Sequence, residues 1–155
     1  MHRSPAITAA RHFIEVATKG EPPSDALLLR VLDALLVGYH DLPDHKPAVD
    51  PDLPEPDNPE PPERDLKALY RCLQERFPSL GLYPVCDPTK DPGGSAHVAD
   101  AIDDLTDITS DMHEVIWLAD NVGEAAANHA YKVLYIHWGL HVRELALLLH
   151  ARRFS

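Results

Sequence analysis

Proline placement constrains this chain more than any other feature. Proline has no amide hydrogen and a locked φ, so it is excluded from helix interiors and from central strands. Eight of the fifteen prolines (Pro43, Pro47, Pro51, Pro54, Pro56, Pro59, Pro61 and Pro62) fall between positions 43 and 62, among acidic residues. That stretch reads as a proline-rich acidic loop, a solvated crossover between helical segments rather than a docking motif for a proline-binding partner.

On either side of the loop the apolar spacing is helical. Ile7, Ala10, Phe13, Ile14 and Ala17 mark a helix over 6–18 that stops at Gly20 and Pro22. Ser24 is a good N-cap for a second, running through Leu27, Leu28, Val31, Leu32, Leu35 and Leu36 towards Tyr39. A third begins near Pro62 and Glu63, directs Leu66, Leu69, Tyr70, Leu73 and Phe77 inward, and ends at Pro78. Residues 78–94, with Tyr83, Val85 and Cys86 among prolines, read as ordered irregular chain packed across the bundle. A fourth helix is expected from about Ser95 to Asn121, with Gly123 as its C′ residue, and a fifth from about Glu124 to Arg152. The expected fold is all-α, a compact antiparallel bundle of four to five helices with a proline-rich crossover loop. At 155 residues it is read as a single domain over 1–155.

Charge and composition exclude several classes. The formal net charge is −11, from 25 acidic and 14 basic residues, so the average surface repels a phosphate backbone and nucleic acid is not an expected partner. The longest unbroken apolar runs are about five residues, such as Leu145 to Leu149, too short for a signal peptide or a membrane span. Cytoplasmic residence follows by default. Cys72 and Cys86 form no C-x-x-C pair and stand near no histidine at zinc-ligand spacing, so both read as small core residues. Ser95, Ser110 and Ser155 lack a G-x-S-x-G context, and Gly93-Gly94 alone is a turn rather than a phosphate loop. Trp117 and Trp138 read as core or interface anchors.

The fourth helix carries the one candidate site. Beside an apolar face of Val98, Ala101, Ile102, Leu105, Ile108, Met112, Val115, Ile116 and Ala119 runs an acidic stripe of Asp100, Asp104, Asp107 and Asp111. Like charges at that spacing destabilise a helix, and the N-terminal dipole excuses only Asp100 and Asp103. No lysine or arginine occurs between Lys90 and Lys132 to neutralise the stripe. On the fifth helix His137 and His141, one turn apart, face the bundle interior beside Glu144. In an antiparallel hairpin about Gly123 the two sets come to the same level, since Asp107 and Asp111 lie 16 and 12 positions before it and His137 and His141 lie 14 and 18 after. At least one of Asp104, Asp107 and Asp111 is therefore expected within hydrogen-bond or water-bridge reach of His137 or His141. The leading reading of this cluster is a histidine–carboxylate network that fixes helix register. The second is a divalent-metal site built from Asp104, Asp107, Asp111, His137 and His141. The third is a solvated acidic face with the histidines satisfied elsewhere.

The segments VADAIDDLTDITSDMHEVIWL and YIHWGLHVRELALLLH resemble a family of bacterial proteins catalogued only as a domain of unknown function. In that family an acidic D-D-L-x-D-I-x-x-D helix precedes an H-W-G-x-H helix, matched here by Asp103, Asp104, Leu105, Asp107, Ile108 and Asp111, then by His137, Trp138, Gly139 and His141. The resemblance is strong over the C-terminal third. It implies a helical architecture, a bacterial origin and a grouping of the acids with the histidines, and it implies no activity. The functional expectation is a non-catalytic helical binding or accessory protein that works with a protein partner or by self-association. Its rival is a metal-dependent enzyme, a hydrolase of phosphorylated or nucleotide substrates, although the E-x-x-E pattern of all-α pyrophosphohydrolases is missing.

Overall fold

The N-terminal caps of the first four helices follow from the short polar residue that precedes each. In the computed structural model, which describes residues 4–43 and 60–155, Ser4 caps α1 (Pro5–Thr18) and Ser24 caps α2 (Asp25–Asp41), each hydroxyl accepting from the amide three residues on. Asp65 does the same for α3 (Leu66–Arg76). The expected loop at 43–62 lies almost wholly outside the described residues. Helices α1 and α2 pack as a hairpin through Ala6, Ala10, Phe13 and Ala17 against Leu28, Val31, Leu32 and Leu35. Arg76 ties α3 to the end of α1 by donating to the carbonyl of Val16 in its last turn and to those of Lys19, Gly20 and Glu21 just past it.

The fold is mostly helical, as the periodicity predicts, with three departures. First, a two-stranded antiparallel sheet pairs β1 (Leu82–Val85) with β2 (His97–Asp100), Tyr83 standing opposite Ala99. The fourth helix consequently begins not at Ser95 but after Asp100, which caps α4 (Ala101–Asn121) by accepting from the Ile102 amide at 2.9 Å and from the Tyr70 hydroxyl at 2.6 Å. Val98, assigned to the apolar face of that helix, is instead an exposed strand residue.

Second, the last helical segment is two helices, α5 (Glu124–Val133) and α6 (Tyr135–Phe154), making six among the described residues rather than four or five. The indole of Trp138 donates to the Tyr131 carbonyl at 3.1 Å, the acceptor an unbroken helix would offer to the Tyr135 amide, so a side chain inserted in the ladder produces the break. Gly123, with φ of 148°, makes the expected sharp turn out of α4, its amide donating to the Leu118 carbonyl. Third, Cys72 and Cys86 are both exposed rather than core. Cys72 falls beside Leu73, which α3 buries, and Cys86 lies just past the end of β1, where no second layer covers it. Leu66, expected to face inward, is likewise exposed at the first position of α3.

The core runs the length of α4, where Ile102, Leu105, Ile108, Met112 and Val115 meet α1 on one side and Trp138, Val142, Leu145 and Leu149 of α6 on the other. Removing an aliphatic side chain of that size from water contributes about 1.5–3 kcal/mol. This burial draws the acidic stripe of α4 and the histidines of α6 to a common seam.

Candidate metal centre

Helix α4 presents Asp104, Asp107 and Asp111 at i, i+3 and i+7, and α6 presents His137 and His141 at i and i+4, so each set lines one side of its helix. The helices are antiparallel, and the pairing inverts accordingly. Asp111 sits at 2.7 Å from His137 Nδ1, and Asp104 at 2.7 Å from His141 Nδ1. An ionised carboxylate can only accept, so each Nδ1 carries a proton and donates it. In a neutral imidazole that leaves the lone pair on Nε2. Both Nε2 atoms turn to the carboxylate between them, reaching Asp107 Oδ2 at 3.3 Å from His141 and 3.7 Å from His137. The imidazole rings stand edge to face, with centroids 4.9 Å apart.

All five predicted site residues thus meet, with two different functions. Asp104 and Asp111 are buried and orient the rings, whereas Asp107 is half-buried and stands where both Nε2 atoms converge. One donor atom each from Asp107, His137 and His141 lies within 4.8 Å of the other two. Donors bound at 2.0–2.2 Å to one tetrahedral ion stand about 3.4 Å apart, so a small rotation of the rings would suffice to admit one. The His137 side chain, 47% exposed, gives the group an opening to solvent. A fully solvated acidic face is excluded by the burial of Asp104 and Asp111.

The electrostatics follow from burial against pairing. Desolvation raises the Asp111 pKa, and the His137 hydrogen bond opposes it. The Asp104 hydrogen bond raises the His141 pKa, burial opposes it, and Asp107 and Glu144 add to the rise. Asp103, on the outer side of α4, is raised by desolvation and then by Asp107.

Tyr83, expected only in irregular chain, is a member of this site. Its hydroxyl donates to Asp104 Oδ2, so Asp104 holds a phenol with one oxygen and an imidazole with the other. Desolvation and that bond raise the phenol pKa far above its ordinary value, so Tyr83 stays a donor. The available signal was the alternation in Leu82-Tyr83-Pro84-Val85, which turns Tyr83 to the covered face of a short strand.

The fold and site together define a helical protein with a histidine–aspartate cluster between two antiparallel helices. No protein-family model matches the sequence, and no curated protein matches it. Among solved structures the chain is similar to the crystal structure of protein BF1032 from Bacteroides fragilis, with a TM-score of 0.66 at 14% identity, over 97% of this chain and 91% of that one. At that identity the likeness is one of fold.

Proposed function

We propose that this chain is a helical binding module whose ligand is a divalent transition metal, held by Asp107 and by Nε2 of His137 and His141. The observation that carries the reading is the division of labour within the cluster. Each Nδ1 proton is taken by a buried carboxylate, which sets the tautomer that leaves both Nε2 lone pairs on the side of Asp107. Outer carboxylates that orient ligating imidazoles are the usual support of protein metal sites. Two imidazoles and one carboxylate suit zinc, iron(II) or manganese(II), and three protein donors leave coordination positions for water or a further ligand.

The test is elemental analysis of protein purified without an affinity tag, with calorimetric titration of zinc(II) and manganese(II) into metal-free protein. Near-stoichiometric binding that disappears in Asp107→Asn is expected. No bound metal and no heat with either ion would overturn the reading.

A second reading, the metal-free network fixing the register of α4 and α6, is favoured by the 2.7 Å bonds, which pair Nδ1 of each imidazole with one of two carboxylates without an ion. It predicts that chelator leaves stability unchanged. Steady hydrolysis of a phosphoester by clean protein, lost in His137→Ala, would overturn the metal-free network and make the metal centre that of a hydrolase.

A further inference from the structure

Asp107 faces two ways. Besides meeting the histidines, it lines a cleft of about 440 Å³ between α3 and α4, together with Asp103 and Thr106 on α4 and Lys67, Arg71 and Gln74 on α3. Lys67, Arg71 and Gln74 follow at i, i+4 and i+7, which places all three on one side of α3. Lys67 and Arg71 form no ion pair among the described residues, although the chain carries −11 net and offers acids on every side. Two cations with no direct ion pair, in a cleft beside a candidate metal ligand, keep their donors open to an anion.

From this placement we infer that the α3–α4 cleft binds a phosphate-bearing small molecule, one phosphate oxygen completing the coordination of the ion on Asp107, His137 and His141, and the others held by Lys67 and Arg71. The inference rests on the metal reading above and adds its ligand. The charge balance dictates the order of binding. Without an ion, Asp103 and Asp107 cancel Lys67 and Arg71, and a phosphate gains little. A divalent ion adds two positive charges next to the cleft, which then attracts an anion. Arginine supplies a planar fork for two phosphate oxygens and lysine a point charge. The opening is of the size that small-molecule sites occupy. Binding is reciprocal, so phosphate must tighten the metal by the factor by which the metal tightens phosphate.

The experiment is calorimetric titration of inorganic phosphate into manganese(II)-loaded and metal-free protein, for the parent and for the Lys67→Ala/Arg71→Ala double variant. Both residues are exposed, so the variant is expected to fold. The parent should bind phosphate at least tenfold more tightly when loaded. The variant should lose at least tenfold in phosphate affinity from the loaded form while its affinity for manganese(II) alone stays within about twofold. Phosphate binding that ignores the two cations, or none to the loaded parent, would overturn the inference and leave the metal centre standing. Failure of manganese(II) itself to bind, with phosphate still held through Lys67 and Arg71, would overturn the metal reading and the coupling, leaving a cationic anion site alone.

Discussion

One turn of α4 separates two carboxylates with opposite tasks. Asp104 has both oxygens occupied, by the Tyr83 hydroxyl and the His141 imidazole, and is almost fully buried, whereas Asp107 Oδ2 has only the two Nε2 atoms before it. Asp107→Asn should therefore abolish metal binding, while Asp104→Asn, which keeps the shape and loses the charge that orients His141, should weaken it by about 10- to 100-fold; titration calorimetry separates the two. Equal losses from both would show that Asp104 ligates directly. In metal-free protein the same Asp104–His141 bond makes stability depend on pH. The His141 pKa lies above its unfolded value of 6.5, through Asp104 first and then Asp107 and Glu144, so the native state binds the proton more tightly than the unfolded chain. The contribution is fully present below about pH 6.5 and fades as pH rises through the raised value. Urea midpoints of the chelated parent should fall from about pH 6 to pH 8 more than those of His141→Asn, and parallel curves would place the titration elsewhere. Metal affinity should move the other way, since coordination needs the neutral ring.

At the scale of elements, α6 shows what an H-W-G-x-H pattern requires physically. Trp138 is fully buried and takes the Tyr131 carbonyl, and at Gly139 an added Cβ would fall 2.5 Å from the Tyr135 ring. That ring lies across the glycine and stacks on Tyr39, with centroids 3.6 Å apart. Gly139→Ala should push it away and destabilise the protein by about 1–3 kcal/mol, despite alanine's better helix propensity, with a loss of near-ultraviolet circular dichroism. A gain in stability would show that Tyr135 moves freely. The outer side of the same helix is also apolar, with Ile136, Leu140, Leu147 and Phe154 exposed. For a lone chain Leu147→Glu should change stability by less than about 0.5 kcal/mol. A larger loss that grows with protein concentration would show a second copy covering the stripe. These elements differ in how well the sequence announced them. Long amphipathic runs with Ser24 or Gly123 at their ends were legible because cap chemistry and periodicity agree. The strand pair was not, because alternation over only four residues, one of them Pro84, is too short to separate a strand from irregular chain, and the pairing depends on partners some fifteen positions away. The break before Tyr135 was hidden too, since neither proline nor glycine marks it and its cause is where the Trp138 indole points.

Across the whole molecule the site is legible to the extent that it depends on level and facing. Counting from Gly123 brought the aspartates of α4 beside the histidines of α6, and the bonds Asp111–His137 and Asp104–His141 lie at those heights. The counting could not divide five residues into ligands and orienting groups, because that division depends on ring rotation. Nor could it foresee Tyr83, which reaches the site from β1, or the cleft beside Asp107 that Lys67 and Arg71 of α3 line, across chain separations that no periodicity spans. The cluster joins α4 to α6, and these two helices hold much of the core, so an ion held there should act on global stability. A ligand that binds only the native state stabilises it by about 2.7 kcal/mol when free ligand is a hundred times its dissociation constant. For a chain of this size each kcal/mol moves the melting temperature by about 2–4 °C. Zinc(II) or manganese(II) at that excess should therefore raise the melting temperature of the metal-free parent by about 5–11 °C, and chelator should reverse the rise. Asp107→Asn should show neither change while melting close to the metal-free parent, since its amide keeps the side-chain volume. A rise of the same size in Asp107→Asn would place the stabilising ion elsewhere on this acidic surface, and an unchanged melting temperature in the parent would leave the histidines and aspartates as a device for helix register alone.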